Sequence, residues 1–400
     1  MKRVISYLLV LVLALNVFAC KPKEEVHHYV NGVCTDKGCG KKDPSWVIYH
    51  TTGYVKITKE EVQAIVSQEY VKPRNVIVMI GDGMGPNDLI LTEKYSSGVY
   101  DFGLIMNLIP NTGWATTYSA DSAITDSAAS GTALATGVKT NNGMVGIAPD
   151  GTVLKNISEI AREEGKKIGI VTNDNIVGAT PSAFSIHNIS RLNVRELEKS
   201  YVDYAPDVLI GQTVGKFTDH DLTKFLISTG MSGMDKINSL LNKDYNKPFL
   251  AFFKENTTAK TTDTLAHYTE VALNRLKNDE EGFFLMIENT AADNAGHDND
   301  MKGKLNGVPN LERAIAVVLK FMKENPDTLL IITSDHECGG VQLPEEGKYP
   351  DNSLFTSDDH TGVNVRTFAV GYGAEYFNNK TIDNTDIAKF AIKAVKGELE

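Results

Sequence analysis

The stretch "NVIVMIGDGMG", Asn75–Gly85, decides the fold. From Val76 to Ile80 five apolar residues follow one another with no polar alternation, so a strand here is covered on both faces, as in a parallel sheet between helices. The run then breaks at glycines around Asp82. Ligands of open α/β sheets bind beyond the carboxyl ends of the strands, which makes Asp82 a candidate site residue. The Gly81, Gly83 and Gly85 spacing also fits a dinucleotide loop, but weakly, because a carboxylate among those glycines repels a pyrophosphate.

Working outward, the same kind of run recurs as "KIGIVT", "FLAFF", "FFLMIE", "TLLIIT" and "RTFAVG". Amphipathic patterns such as "LAHYTEVALNRLK" and "LERAIAVVLKFMK" separate them, so a mainly parallel sheet flanked by helices is expected over one domain, 73–400. Upstream, "WVIYHTTGYVKI" reads as a hairpin, and "TKEEVQAIVSQEY" as a helix opened by a Thr58/Glu61 capping box. No repeat or low-complexity segment interrupts this order.

The start, "MKRVISYLLVLVLALNVFAC", has the basic and apolar parts of an export signal, and its apolar run of about fifteen residues is short for a membrane span. Val17-Phe18-Ala19-Cys20 resembles a bacterial lipobox, against the alternative of an ordinary cleaved signal. The expected division is a signal peptide over 1–19, then a tether and short N-terminal element over 20–72. Cys20 would then carry lipid, anchoring an exported protein in the bacterial envelope. In that oxidising compartment Cys34 and Cys39 can close a disulfide loop. Composition is ordinary for a globular chain of 400 residues, with 42% hydrophobic and 23% charged. A net charge of −11 without any basic run argues against nucleic-acid binding. Such a protein acting on an anion needs local positive charge from arginine or metal.

Three strand ends deliver donors to one rim: Asp82 after the first run, Glu288 then Asp293 and His297 after "FFLMI", and Asp335-His336 after "TLLIIT". One Asp in such a place is usually a helix cap, but three strand ends with histidines point to a cation site. Asp293 and His297 are four apart and share a face on a helical turn, and His360 in "SDDHTGV" can complete their set. In "YSADSAITDSAASGTALATG" the Asp-Ser-Ala triplet occurs twice. Ser127 begins an Ala-rich segment closed by Gly137, so a helix starting there sets its hydroxyl at the positive end of the dipole. Ser122 precedes β-branched Ile124-Thr125 and fits a helix less well, although the residues alone leave both serines open.

The ordered segments "VIVMIGDGMG", "TDSAASGTALATG", "ATPSAFSIHNISR", "FFLMIENTAADNAGH", "TSDHECGG" and "DDHTG" resemble the alkaline phosphatase family. The resemblance implies a three-layer α/β/α sandwich and hydrolysis of a broad range of phosphate monoesters through a phosphoserine on Ser127. It implies two Zn2+ and one Mg2+ per chain. Asp293, His297 and His360 would hold one zinc, Asp82, Asp335 and His336 the other, and Asp82, Thr180 and Glu288 the magnesium. Arg191 would clamp phosphate. Gly178 and Asn294 depart from the family pattern, which often has an acid or histidine and Lys, His or Trp there, so weaker third-site metal and phosphate retention are expected. The short spacing from "DHECGG" to "DDHTG" excludes a large insertion, so a homodimer would form without one. Cys338 is expected to pack as a small residue, and His187 to act away from the metals. A diesterase or sulfatase of the same superfamily is the rival enzyme, but Glu288 and Arg191 are present and no C/S-x-P-x-R context surrounds Ser127. A lipoprotein using the fold only for binding would lack a ligand or nucleophile, and none is missing.

Overall fold

The computed structural model describes residues 29–30, 33–34, 55–96, 99–212, 226–228, 249–253 and 264–400. The export signal, the lipid site at Cys20, Cys39 and most of the expected hairpin lie outside the described residues. Strands β1 (Tyr29–Val30) and β2 (Val33–Cys34) pair antiparallel. Helix α1 (Lys59–Val66) opens as expected: the Thr58 hydroxyl accepts the Glu61 N–H and the Glu61 carboxylate accepts the Thr58 N–H.

In chain order the remaining elements begin with β3 (Asn75–Gly81), α2 (Pro86–Tyr95), β4 (Asn111–Thr116), α3 (Ser127–Thr136) and α4 (Ile157–Glu163). They continue with β5 (Lys167–Asn175), α5 (Ala179–Ala183), α6 (Val194–Tyr204), β6 (Val208–Gln212), β7 (Leu226–Ser228), β8 (Phe249–Phe253) and α7 (Thr264–Leu276). Then come β9 (Phe283–Asn289), α8 (Ala291–His297), α9 (Met301–Glu324), β10 (Thr328–Thr333) and β11 (Glu337–Cys338). The last are β12 (His360–Thr361), β13 (Val365–Val370), β14 (Thr381–Asp383) and α10 (Asn384–Val395).

Ten strands form one sheet in the order β14-β4-β13-β10-β3-β9-β5-β6-β8-β7. Only β13 runs against its neighbours, antiparallel to β10 on one side and β4 on the other; every other pairing is parallel. The central apolar runs are covered on both faces because β3, β9 and β10 each feed two cores. Ile77, Met79, Leu285, Ile287, Leu330 and Ile332 pack with α7 and α9. Their neighbours Val76, Val78, Ile80, Phe284, Met286, Leu329 and Ile331 pack with α4, α6 and α10. Burying each such side chain contributes roughly 1.5–3 kcal/mol, which fixes strand register as well as stability. The result is the α/β/α sandwich.

One helix departs from its sequence pattern. The amphipathic pattern begins near Leu311, whereas α9 begins at Met301 and carries Pro309 inside it. Within the turn-like "NGVPN", Gly307 permits a close approach: a Cβ there would lie 2.9 Å from the Ala292 nitrogen, so the bare glycine lets α9 seat directly on α8.

Candidate active site and metal centres

The sheet delivers its donors at one edge. Asp82 follows β3, Glu288 is the last residue but one of β9 with Asp293 on α8 behind it, and Asp335-His336 follow β10. Register brings the first two strand ends level, with Ile80 opposite Glu288, and the Asp82 N–H donates to the Asn289 carbonyl at 2.9 Å. Asn289 was missed in the sequence. Its amide bridges Asn173 and the Gly307 carbonyl, and a polar residue directly ending a buried strand was the available signal.

Helix α3 starts where expected. Asp126 is its N-cap, with one carboxylate oxygen accepting the Ala129 N–H at 2.9 Å, and Gly137 ends it in the left-handed region at φ 75°. Ser127 therefore sits in the first turn, buried, with Oγ 3.2 Å from His336 Nε2. Ser122 instead closes its own turn, accepting the Ile124 N–H on Oγ. The second oxygen of Asp126 meets Arg191 Nη1 at 3.1 Å and the Gly143 N–H at 3.1 Å, and the Arg191 N–H donates to the Gly143 carbonyl. The guanidinium is thereby turned toward the start of α3.

The imidazoles show what the cluster is built to hold. His297 Nδ1 lies 2.8 Å from the Asp358 carbonyl and His360 Nδ1 lies 2.9 Å from the Thr125 carbonyl. A carbonyl only accepts, so each Nδ1 carries a proton and each ring turns its Nε2 inward. Those two Nε2 atoms are 3.2 Å apart, and the Asp293 oxygens lie 3.6 Å from one and 3.4 Å from the other. Converging acceptors of this kind match a tetrahedral zinc, whose nitrogen and oxygen ligands at 2.0–2.1 Å stand about 3.3 Å from one another. His336 Nε2 centres a second set, 3.2 Å from Asp335 Oδ2 and 3.5 Å from Asp82 Oδ1. Both of those oxygens are buried without a hydrogen-bond partner.

Among the described residues, two groupings of ligand atoms lie within 4.8 Å of one another: Asp293, His297, Cys338 and His360, and Asp82, Asp293 and His336. Asp293 thus borders both centres, not one alone. Cys338, paired with His360 across β11 and β12, is fully buried against Gly296 and sets its Sγ among the ligand atoms of the first grouping. His187 is held elsewhere, between the Gly146 carbonyl and Glu159. On the third set, Glu288 accepts the Thr172 hydroxyl at 2.6 Å, while the Thr180 hydroxyl at the start of α5 is buried and unpartnered. Asp82, Thr180 and Glu288 offer oxygen only, the preference of magnesium. Gly178 caps α5, and a Cβ there would come 2.8 Å from the Asn175 carbonyl, so the bare position belongs to the local turn. Asn294 reaches only the Thr290 hydroxyl, at 3.4 Å.

The electrostatics agree with a cationic occupant. Burial, then the charges of Asp335, Asp293 and Glu288, push the Asp82 carboxyl well above its ordinary range, and burial pushes Glu288 up to about 8. Burial also works against a charged Asp293, but the His360 hydrogen bond and the surrounding imidazoles outweigh it and hold that carboxyl low. Burial disfavours a charged His360, yet the hydrogen bond and charge of Asp293 lift it to about 9. Carboxylates crowded this closely need positive charge to coexist.

Fold and site together define a class, the α/β/α hydrolases whose active sites are lined with metal-ligating side chains. The chain belongs to the alkaline phosphatase family, enzymes that hydrolyse phosphate monoesters. The alkaline phosphatase family model matches residues 73–209 and 195–350. Alkaline phosphatase 4 of Bacillus subtilis is 31% identical over 442 residues, covering 85% of this chain and 93% of the relative. The Escherichia coli K12 alkaline phosphatase is 26% identical over 429 residues, covering 86% and 91%. Among solved structures, alkaline phosphatase from the Antarctic bacterium TAB5 matches with a TM-score of 0.70 at 28% identity, covering 82% of this chain and 99% of that one. A histidine-to-aspartate variant of the TAB5 enzyme, with magnesium bound in its M3 site, matches equally well.

Proposed function

We propose that the chain hydrolyses a broad range of phosphate monoesters through a phosphoserine on Ser127. The observation that carries this reading is the Ser127 hydroxyl at the start of α3, 3.2 Å from His336 Nε2 and beside the Asp126–Arg191 pair. Asp293, His297 and His360 would hold one Zn2+, Asp82, Asp335 and His336 a second, and Asp82, Thr180 and Glu288 a Mg2+. When bound, such cations supply Lewis acidity and neutralise charge on the attacking and leaving oxygens.

The residues divide the remaining work. Ser127 Oγ gives up its proton and attacks phosphorus in line; the ester bond breaks, and the alcohol leaves with a proton. Water then attacks the phosphoserine, the Oγ–phosphorus bond breaks, and inorganic phosphate departs as the hydroxyl re-forms. Arg191 grips two phosphoryl oxygens with its planar fork, and the N–H groups opening α3 face the same anion. With Gly178 and Asn294 in place, a magnesium held there would exchange readily and phosphate would be held weakly. A panel of mono- and diesters on chelated protein, with zinc and magnesium restored in turn, tests the assignment. Ser127→Ala should abolish turnover and Ser122→Ala should leave most of it; activity surviving Ser127→Ala would overturn the phosphoserine route.

Export and a lipid on Cys20 extend the proposal to the bacterial envelope, supported by the basic and apolar start and the Val17–Cys20 motif. Labelled fatty acid should enter the unaltered chain and not Cys20→Ser. A homodimer is equally open to light scattering of the zinc-loaded protein.

A further inference from the structure

One buried ion pair has no part in the chemistry just described. Lys304 falls in the core-facing stripe of α9 with Met301, Leu305 and Val308, and is 1% exposed. Its ammonium donates to Asp88 Oδ2 at 3.0 Å and to the Gly83 carbonyl at 2.9 Å. Asp88, in the first turn of α2 and equally buried, accepts the Gly85 N–H on the same oxygen at 2.8 Å. The pair therefore grips both Gly83 and Gly85, just beyond Asp82. On the opposite side of this loop the Gly83 N–H donates to Asp335 Oδ1 at 3.2 Å, the Met84 N–H to Ser334 Oγ at 3.0 Å, and the Cys338 N–H to the Gly83 carbonyl at 3.3 Å.

A buried ion pair is a poor source of stability, because desolvating two charges consumes most of their attraction, and an apolar residue would fill the stripe as well. What a cationic donor on a carbonyl does supply is direction. Gly83 is bonded covalently to Asp82 and by hydrogen bond to Asp335, so anchoring its carbonyl fixes where both carboxylates aim. Partners that orient metal ligands in this way matter to affinity nearly as much as the ligands do. We propose that Lys304, held by Asp88, is a positioning residue that clamps the Gly83 carbonyl and so aims Asp82 and Asp335 at the centre shared with His336 and Ser127. The inference rests on the assignment of Asp82 and Asp335 as metal ligands.

The test is zinc affinity by chelator competition on the full-length protein, with kcat and KM measured alongside. Removing Lys304 alone would leave the Asp88 carboxylate buried and unpaired and can prevent folding, so the main reagent is the charge-neutral Lys304→Met/Asp88→Asn. It is expected to fold, to bind zinc roughly ten- to hundredfold more weakly, and to lose kcat more than it raises KM. A folded double variant with unaltered zinc affinity and kcat would overturn the clamp. Should that variant not fold, Asp88→Asn alone, which keeps an acceptor for Gly85, is expected to weaken zinc binding severalfold, and unchanged affinity there would equally overturn it. If the unaltered chain binds no zinc, the ligand assignment itself fails, which is a separate result.

Discussion

Asp126 uses its two oxygens for two tasks: one caps α3, and the other holds Arg191 and the Gly143 N–H. Replacing it by alanine should lower stability by about 0.5–2 kcal/mol through the lost cap. The same change should free Arg191 and raise the inhibition constant of phosphate about fivefold, as one charge-assisted orientation is lost. Thermal melts separate the first effect and product-inhibition kinetics the second; an unchanged inhibition constant would mean that Arg191 needs no help from Asp126. At this scale the sequence was informative about residue types and nearly silent about sharing. The strand-end rule found Asp82, Glu288 and Asp335, and the i, i+4 spacing found His297 beside Asp293. Nothing in one dimension revealed that Asp293 borders two centres, or that Lys304 in an apolar stripe reaches the Gly83 carbonyl 221 positions away.

Elements were legible where burial leaves a pattern. β3, β9 and β10 lie at the centre of the sheet, so their apolar runs are unbroken. β4, "NTGWAT", is half polar and only partly buried, β14 spans three residues, and neither announces itself. The reversed direction of β13 left no trace either, because hydrogen-bond polarity does not alter which side chains are buried. Gly307 gives a test at this scale. An alanine there would meet Ala292 N at 2.9 Å and Ala291 C at 3.2 Å, backbone atoms that cannot rotate away. Gly307→Ala should therefore push α9 off α8, lowering stability by roughly 1–3 kcal/mol and weakening zinc binding through displaced Asp293 and His297. Chelator competition on the folded variant checks it, and full zinc affinity would show that α8 holds its place without α9.

The molecule as a whole balances buried acids against what surrounds them, and pH exposes that balance away from the active site. Glu312 on α9 is buried and accepts the N–H groups of Ile105 and Met106. Burial outweighs those two bonds and pushes its carboxyl from an ordinary 4.5 up to about 8. Between those values the folded chain holds a proton that the unfolded chain has released. The associated stability is thus complete below the lower value and disappears as pH rises through the upper one. Denaturant midpoints compared between about pH 5 and pH 9, at fixed metal loading, should show the unaltered chain losing stability relative to Glu312→Gln as pH rises. Parallel pH curves would rule the effect out.

Asp293, within reach of both donor groups, would make two centres built on them parts of a single linked equilibrium. An ion arriving at one centre fixes a carboxylate that the other also feels, and by reciprocity the second ion changes the affinity of the first by the same factor. Zinc titration of the stripped protein should accordingly depart from the sum of two independent isotherms, and Asp293→Asn should bring the two steps closer to independence. Such linkage would make the loading of either centre depend on the occupancy of the other, so that scarce metal is not divided between two independent sites.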